Sequence, residues 1–165
     1  MAIKKYVVMI SFQLLTTLLF GQQLPYHKML DRLLSHTVPE ISVQDAATLT
    51  NTIFLDARPI AEYNVSHLHN AIRVGFSDFS LSKLTNISKA SPIVIYCSVG
   101  YRSEKIAEKM AAEGFTNIKN MYGGIFEWAN LHKPMYDSAG LTKNVHPYNK
   151  KWGKWLTHTN KNSSP

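Results

Sequence analysis

The stretch PIVIYCSVGYRS, residues 92–103, decides the fold. Ile93, Val94, Ile95 and Tyr96 make an apolar run with no polar alternate, the pattern of a strand covered on both faces in a parallel sheet. The run enters Cys97 directly, then a short polar loop holding Gly100 and Arg102, then SEKIAEKMAAE at 103–113. There Ile106, Ala107, Met110 and Ala111 form one apolar stripe with charges opposite, so a helix is expected over residues 103–113, capped by Ser103 at its start and closed by Gly114. In open parallel sheets, chemistry gathers beyond the carboxyl ends of the strands, where helix amino termini also point. Cys97 lies at such a place.

Working outward, Ile53, Phe54 and Leu55 read as a second buried strand ending in the polar turn Asp56, Arg58 and Pro59. PIAEYNVSHL follows as a brief helix with Pro59 in its first turn. Residues 71–74 and 117–121 suggest two more short strands, and DFSLSKLTNI a helical segment between them. Gly123 and Gly124 break the last strand before the helical IFEWANLH. Ahead of all these, Ser42 caps a short helix with Asp45 three residues on, and residues 22–40 are expected to form a lead-in helix that packs on the domain. Strands alternating with helices imply an α/β domain over residues 41–134, with a small, mainly parallel sheet flanked by helices on both faces.

Composition narrows the function. A chain of 165 residues, 45% apolar and 18% charged, supports one ordinary domain. Cys97 is the single cysteine, which excludes an intrachain disulfide framework and any cysteine-rich zinc module. Seven histidines at scattered spacings form no metal signature, and neither a metal nor a cofactor is expected. The net charge is +7. Lys4 and Lys5 precede the apolar run from Tyr6 to Phe20, and Gly21 follows, the organisation of a secretory signal peptide over residues 1–21. Its removal takes two of eighteen basic residues and leaves +5. A periplasmic or extracellular location is therefore expected; an uncleaved membrane anchor is the alternative. Residues 135–165 form a basic tail in which Lys150, Lys151 and Lys154 alternate with Trp152 and Trp155, read as packed on the domain through the tryptophans or partly disordered. The tail leaves peripheral contact with an anionic membrane open; nucleic acid is not expected as a partner.

Composition alone makes a lone cysteine after an apolar strand an inert buried thiol. Its neighbours argue otherwise. Backbone amides of Ser98, Val99, Gly100 and Tyr101 and of the first helical turn are expected to converge on the sulfur, an arrangement that stabilises an anion. Gly100 permits the tight backbone path, Arg102 adds a positive charge that favours thiolate, and Ser103 offers a hydroxyl to the sulfur or a substrate.

Four segments in order, FLDAR at 54–58, EYNVSHLHNAIRV at 62–74, IVIYCSVGYRS at 93–103 and EGFTNIKNMYGGIFEW at 113–128, together resemble a single-domain rhodanese-like protein. The resemblance implies the rhodanese fold and sulfane-sulfur transfer through a cysteine persulfide, with Cys97 as nucleophile and Arg102 stabilising the anion. It also implies that the four residues between Cys97 and Arg102 favour sulfur transfer over the phosphate or arsenate chemistry of relatives with longer loops. Ser98 stands where thiosulfate-preferring members often carry a basic residue. The implied partners are a small sulfur donor, thiosulfate-like or a persulfide, and a thiol or cyanide-type acceptor, with a protein acceptor as a further possibility. Asp56 and Arg58 match the family's Asp-x-Arg and are read as a supporting ion pair. Glu62, Tyr63 and His67 are read as hydrogen bonding that ties a helix to the next strand. The alternatives are a non-catalytic rhodanese module that binds a protein partner, and a thiol redox protein.

Overall fold

The computed structural model describes residues 25–157 and 160–162. The signal-peptide reading of residues 1–21 lies outside them. Residues 25–33 form helix α1, shorter than the expected span, and are the whole described part of a separate compact unit ending at Leu33. After it His36 takes a left-handed backbone, φ 53°, which no continuing helix allows.

The unit from Leu34 onward is built on five parallel strands in the order β1 (Glu40–Ile41), β5 (Ile118–Met121), β4 (Ile93–Tyr96), β2 (Ile53–Asp56) and β3 (Ile72–Arg73). The two central pairings set Leu55 opposite Ile95 and Ile95 opposite Asn120. All four residues of β4 are buried, as a strand covered on both faces requires. Its alternate residues Ile93 and Ile95, with Cys97, join Leu55, Ile106 and Met110 in one core beneath α4 (Tyr101–Ala112). On the opposite face Trp128 of α5 (Gly124–Asn130) meets Phe54 edge-on, with ring centroids 6.3 Å apart. The result is an α/β sheet with helices on both sides.

Short elements connect these layers: α2 (Val43–Ala46), capped by Ser42 accepting the Asp45 N–H, and α3 (Ile60–Val65), entered through Pro59. The segment expected to be helical after β3 keeps only a 3-10 turn at Leu81–Leu84. Its serine-rich sequence offers few apolar positions to hold a longer helix against the sheet, and only Leu84 is buried.

The carboxy-terminal segment carries more structure than its composition suggests. β6 (Met135–Asp137) pairs antiparallel with β7 (Gly140–Thr142), β8 (Asn144–Val145) pairs parallel with β9 (Asn160–Lys161), and α6 (Lys150–Gly153) lies between the members of the second pair. β6 is also tied to the domain, because His67 and Tyr136 exchange backbone hydrogen bonds of 2.8 and 2.9 Å. Its anchors differ from those expected. Val145 and Leu156 are buried, whereas Trp152 and Trp155 are only half-buried. Asn130 holds the end of the segment by donating to the Trp155 carbonyl at 2.7 Å and accepting the Thr157 N–H at 2.9 Å.

Candidate active site

Cys97 sits at the carboxyl end of central strand β4 and is 1% exposed. The backbone bends through Ser98 and Val99 to Gly100, whose φ of 112° lies where side chains are rarely tolerated. This bend turns the Gly100 N–H back to donate to Cys97 Sγ at 3.2 Å. Helix α4 then begins at Tyr101, two residues earlier than the apolar stripe indicates. Arg102 and Ser103 therefore belong to its first turn, and the amides of that turn have no intrahelical acceptor.

Ser103 does not cap the helix. Gly100 occupies the cap position, and the buried Ser103 hydroxyl shares its one proton between Asn120 Oδ1 at 2.7 Å and the Gly100 carbonyl at 3.0 Å. Asn120 in turn donates through Nδ2 to the same carbonyl at 3.1 Å. At the other end of the bend, α5 takes the remaining carbonyls: Ile125 N–H donates to Cys97 O at 2.9 Å and Phe126 N–H to Ser98 O at 3.1 Å. Three loop carbonyls are thus bound by other groups, and the Gly100 N–H is the loop group that meets the sulfur. Gly124 makes the grip possible. Its φ is 56°, and a Cβ there would stand 2.4 Å from the Cys97 carbonyl oxygen.

Arg102 points elsewhere than the sequence implies. Its guanidinium makes a two-pronged ion pair with Glu62, Nη1 to Oε1 at 2.8 Å and Nη2 to Oε2 at 2.9 Å. Ser98 Oγ completes the group, accepting from Arg102 Nη2 at 2.8 Å and donating to Glu62 Oε2 at 2.9 Å. Burial alone would raise the Glu62 carboxyl, but the hydrogen bond and charge of Arg102 hold it below the ordinary value. Burial likewise disfavours charged Arg102, and Glu62 together with a Cys97 thiolate outweighs this, so the guanidinium is held above its usual value. The guanidinium thus directs its hydrogen bonds to Glu62 and Ser98, while the hydrogen bond on Cys97 Sγ comes from the Gly100 N–H. Glu62, expected only to tie α3 to the following strand, instead ties α3 to the cysteine loop.

The other expected residues separate into those at the loop and those away from it. Val99 is buried and Tyr101 is 42% exposed, so Val99 holds the loop down while Tyr101 faces solvent. Asp56 and Arg58 form a fully buried ion pair, Nη2 to Oδ2 at 2.6 Å, and Arg58 also donates to the Ser66 carbonyl. The pair braces the chain after α3 and makes no hydrogen bond to the cysteine loop. Tyr63 donates to the Ala71 carbonyl at 2.8 Å and stacks on the His67 ring at 4.1 Å, the tying role expected of them. Asn120 and Gly124 were not singled out from sequence as loop supports. Asn120 had a readable signal, a polar residue at the inward phase of strand β5. Among the described residues, no cluster of three or more His, Cys, Asp or Glu side chains is arranged to hold a metal ion.

A family model described as the rhodanese-like domain matches residues 42–131. The chain belongs to the rhodanese-like family. Curated relatives include a tRNA uridine(34) hydroxylase of Photorhabdus laumondii, 37% identical over 84 residues, which are 48% of this chain and 24% of that protein. They also include the adenylyltransferase and sulfurtransferase UBA4 of Meyerozyma guilliermondii, 35% identical over 106 residues, covering 58% of this chain and 24% of that one. The chain therefore spans about a quarter of these relatives' length. Among solved structures, a rhodanese-like domain from Anabaena shares the fold at a TM-score of 0.57 and 17% identity, covering 61% of this chain and 80% of that one. A thiosulfate sulfurtransferase from Pseudomonas aeruginosa shares it at a TM-score of 0.56 and 15% identity, covering 84% and 26%. The curated relatives thus include one named as an adenylyltransferase and sulfurtransferase and one named as a tRNA hydroxylase.

Proposed function

We propose that this rhodanese domain is an exported sulfurtransferase carrying sulfane sulfur as a persulfide on Cys97. The observation that carries the reading is the amide cradle: a cysteine at the end of the central strand with the Gly100 N–H on its sulfur, beside a helix amino terminus, with neighbouring carbonyls bound elsewhere. Such a cradle stabilises thiolate and persulfide anions without a metal or cofactor. In the first half-reaction the Cys97 thiolate attacks the sulfane sulfur of a donor, a Cys97 S–S bond forms, and the donor's own bond to that sulfur breaks with its electron pair. With thiosulfate the leaving group is sulfite; with a persulfide it is a thiolate. In the second, cyanide or an acceptor thiolate takes the terminal sulfur and Cys97 regains its electron pair. Because Arg102 is matched by Glu62, the loop amides rather than a free cation carry the added charge, which suits a persulfide better than doubly charged thiosulfate.

The test is thiocyanate formation from cyanide with thiosulfate or a small persulfide as donor. The wild type is expected to form thiocyanate and Cys97→Ser to form none; equal rates in both sink the proposal. Export rests on the Lys4, Lys5 and Tyr6–Phe20 pattern. An intact amino terminus on protein recovered from the cytosol contradicts it.

A further inference from the structure

Tyr148, beyond the rhodanese-matched region, places its ring against the Arg102 guanidinium, 5.1 Å from centroid to Cζ. It does so from a left-handed backbone, φ 60°, that side chains other than glycine rarely adopt. The turn is held from both sides. The Tyr148 N–H donates to His146 Nδ1 at 3.0 Å, and the preceding Val145 is fully buried in a strand paired with β9. Burial, with the nearby Arg58 and Arg102 cations, lowers the His146 pKa against the opposing pull of Glu62, which favours the neutral ring able to accept that hydrogen bond. Tyr148 nevertheless stays 49% exposed, so the ring is fixed in place without being buried as core.

The same tyrosine lines a solvent-open cleft of about 600 Å³ together with Pro147, Lys150, Lys154 and Lys161. Gly153 closes the floor, and a Cβ at that position would stand 2.8 Å from Pro147 Cβ. Among the described residues no acidic one lines the cleft, so its three lysines give it positive charge without a lining carboxylate, in contrast to Arg102 at the cysteine loop, and the Lys154 ammonium rests 4.8 Å from the Trp155 ring centroid. Tyr148 is common to both places. A substrate whose reacting sulfur lies at the loop can extend past the tyrosine and set a negative group among the lysines.

We propose that the carboxy-terminal segment completes the substrate site: Tyr148 walls the mouth beside Arg102, and the lysine-lined cleft binds the carboxylate-bearing part of an organic persulfide donor. This substrate class rests on the sulfur-transfer reading of Cys97. In the step, the Cys97 thiolate attacks the terminal sulfur of R–S–SH, the Cys97 S–S bond forms, and the donor S–S bond breaks. The electron pair leaves with R–S⁻ and the proton stays on the transferred sulfur. No external oxidant or reductant takes part.

The experiment has a binding arm and a transfer arm, on wild type, on the Lys150→Ala/Lys154→Ala/Lys161→Ala variant, and on Tyr148→Asn, since asparagine tolerates the left-handed backbone. The binding arm uses S-methylglutathione, which carries two carboxylates and no reactive sulfur. It is expected to bind wild type more weakly as salt rises and to lose about tenfold in affinity in the triple-lysine variant. The transfer arm follows sulfur loading of Cys97 by glutathione persulfide and by uncharged 2-hydroxyethyl persulfide. The ratio of the two rates is expected to fall about tenfold in the triple-lysine variant and to fall also in Tyr148→Asn. Absence of S-methylglutathione binding, an unchanged ratio, or lysine-dependent binding of anionic phospholipid vesicles in its place overturns the proposal. If S-methylglutathione binds through the lysines while neither persulfide loads Cys97, the cleft stands and the sulfur-transfer reading falls.

Discussion

Replacing Glu62 by glutamine keeps the side-chain volume and removes the charge that Arg102 binds. Glu62 is 4% exposed and Arg102 15% exposed at the side chain, and their contact has two prongs of 2.8 and 2.9 Å. Removing one partner of a fully buried pair costs about 3–5 kcal/mol, because the other charge is left unmatched in a poorly solvated place. The partial exposure of Arg102, with Ser98 Oγ and the Tyr148 ring still beside it, reduces the expected loss to about 2–3 kcal/mol. In urea unfolding this is a midpoint lowered by about 1–2 M at unchanged slope. A Glu62→Gln/Arg102→Met double variant removes both charges and should be more stable than the sum of the single effects predicts, by about 1.5 kcal/mol or more. A Glu62→Gln cost below about 0.5 kcal/mol, or strict additivity in the cycle, refutes the claim that this pair holds the cysteine loop.

Acidification provides a related check. The folded Glu62 carboxyl lies below its unfolded value of about 4.3, so its stabilisation is present above that pH and is lost as pH falls through the folded pKa. Wild type should therefore lose stability on acidification below about pH 4.5 more steeply than Glu62→Gln, in chemical denaturation at a series of pH values. Asp56→Asn leaves fully buried Arg58 without its carboxylate and should cost about 3–5 kcal/mol, more than Glu62→Gln, in the same urea assay. Gly124→Ala forces a Cβ against the Cys97 carbonyl from a left-handed backbone. It should destabilise by about 2 kcal/mol or more, with sulfur transfer reduced further than the folded fraction accounts for.

The sheet was legible where burial acts on every residue of a segment. β4 shows as an unbroken apolar run because both of its faces are covered, and β2 as the shorter run Ile53–Leu55 closed by Asp56. β1 and β3 hold two residues each, too few to display a period, and only partner strands define them. The start of α4 shifted because the apolar stripe begins at Ile106, whereas backbone geometry at Gly100 sets where the helix starts. The cysteine and its loop were readable from residue types and spacing. The partner of Arg102 was not, because Glu62 lies forty residues earlier and meets it only once α3 packs beside the loop. The carboxy-terminal segment misled for a similar reason: its two tryptophans outweigh Val145 and Leu156 by size, but burial selected the aliphatic pair.

The central claim is that Cys97 carries sulfur, and intact-protein mass spectrometry after brief exposure to a sulfane donor tests it most directly. The account predicts a gain of one sulfur atom, located to the peptide containing Cys97, removed by cyanide with release of thiocyanate and absent in Cys97→Ser. A wild-type protein whose mass stays unchanged under conditions that keep it folded, with both thiosulfate and organic persulfides supplied in excess, contradicts it.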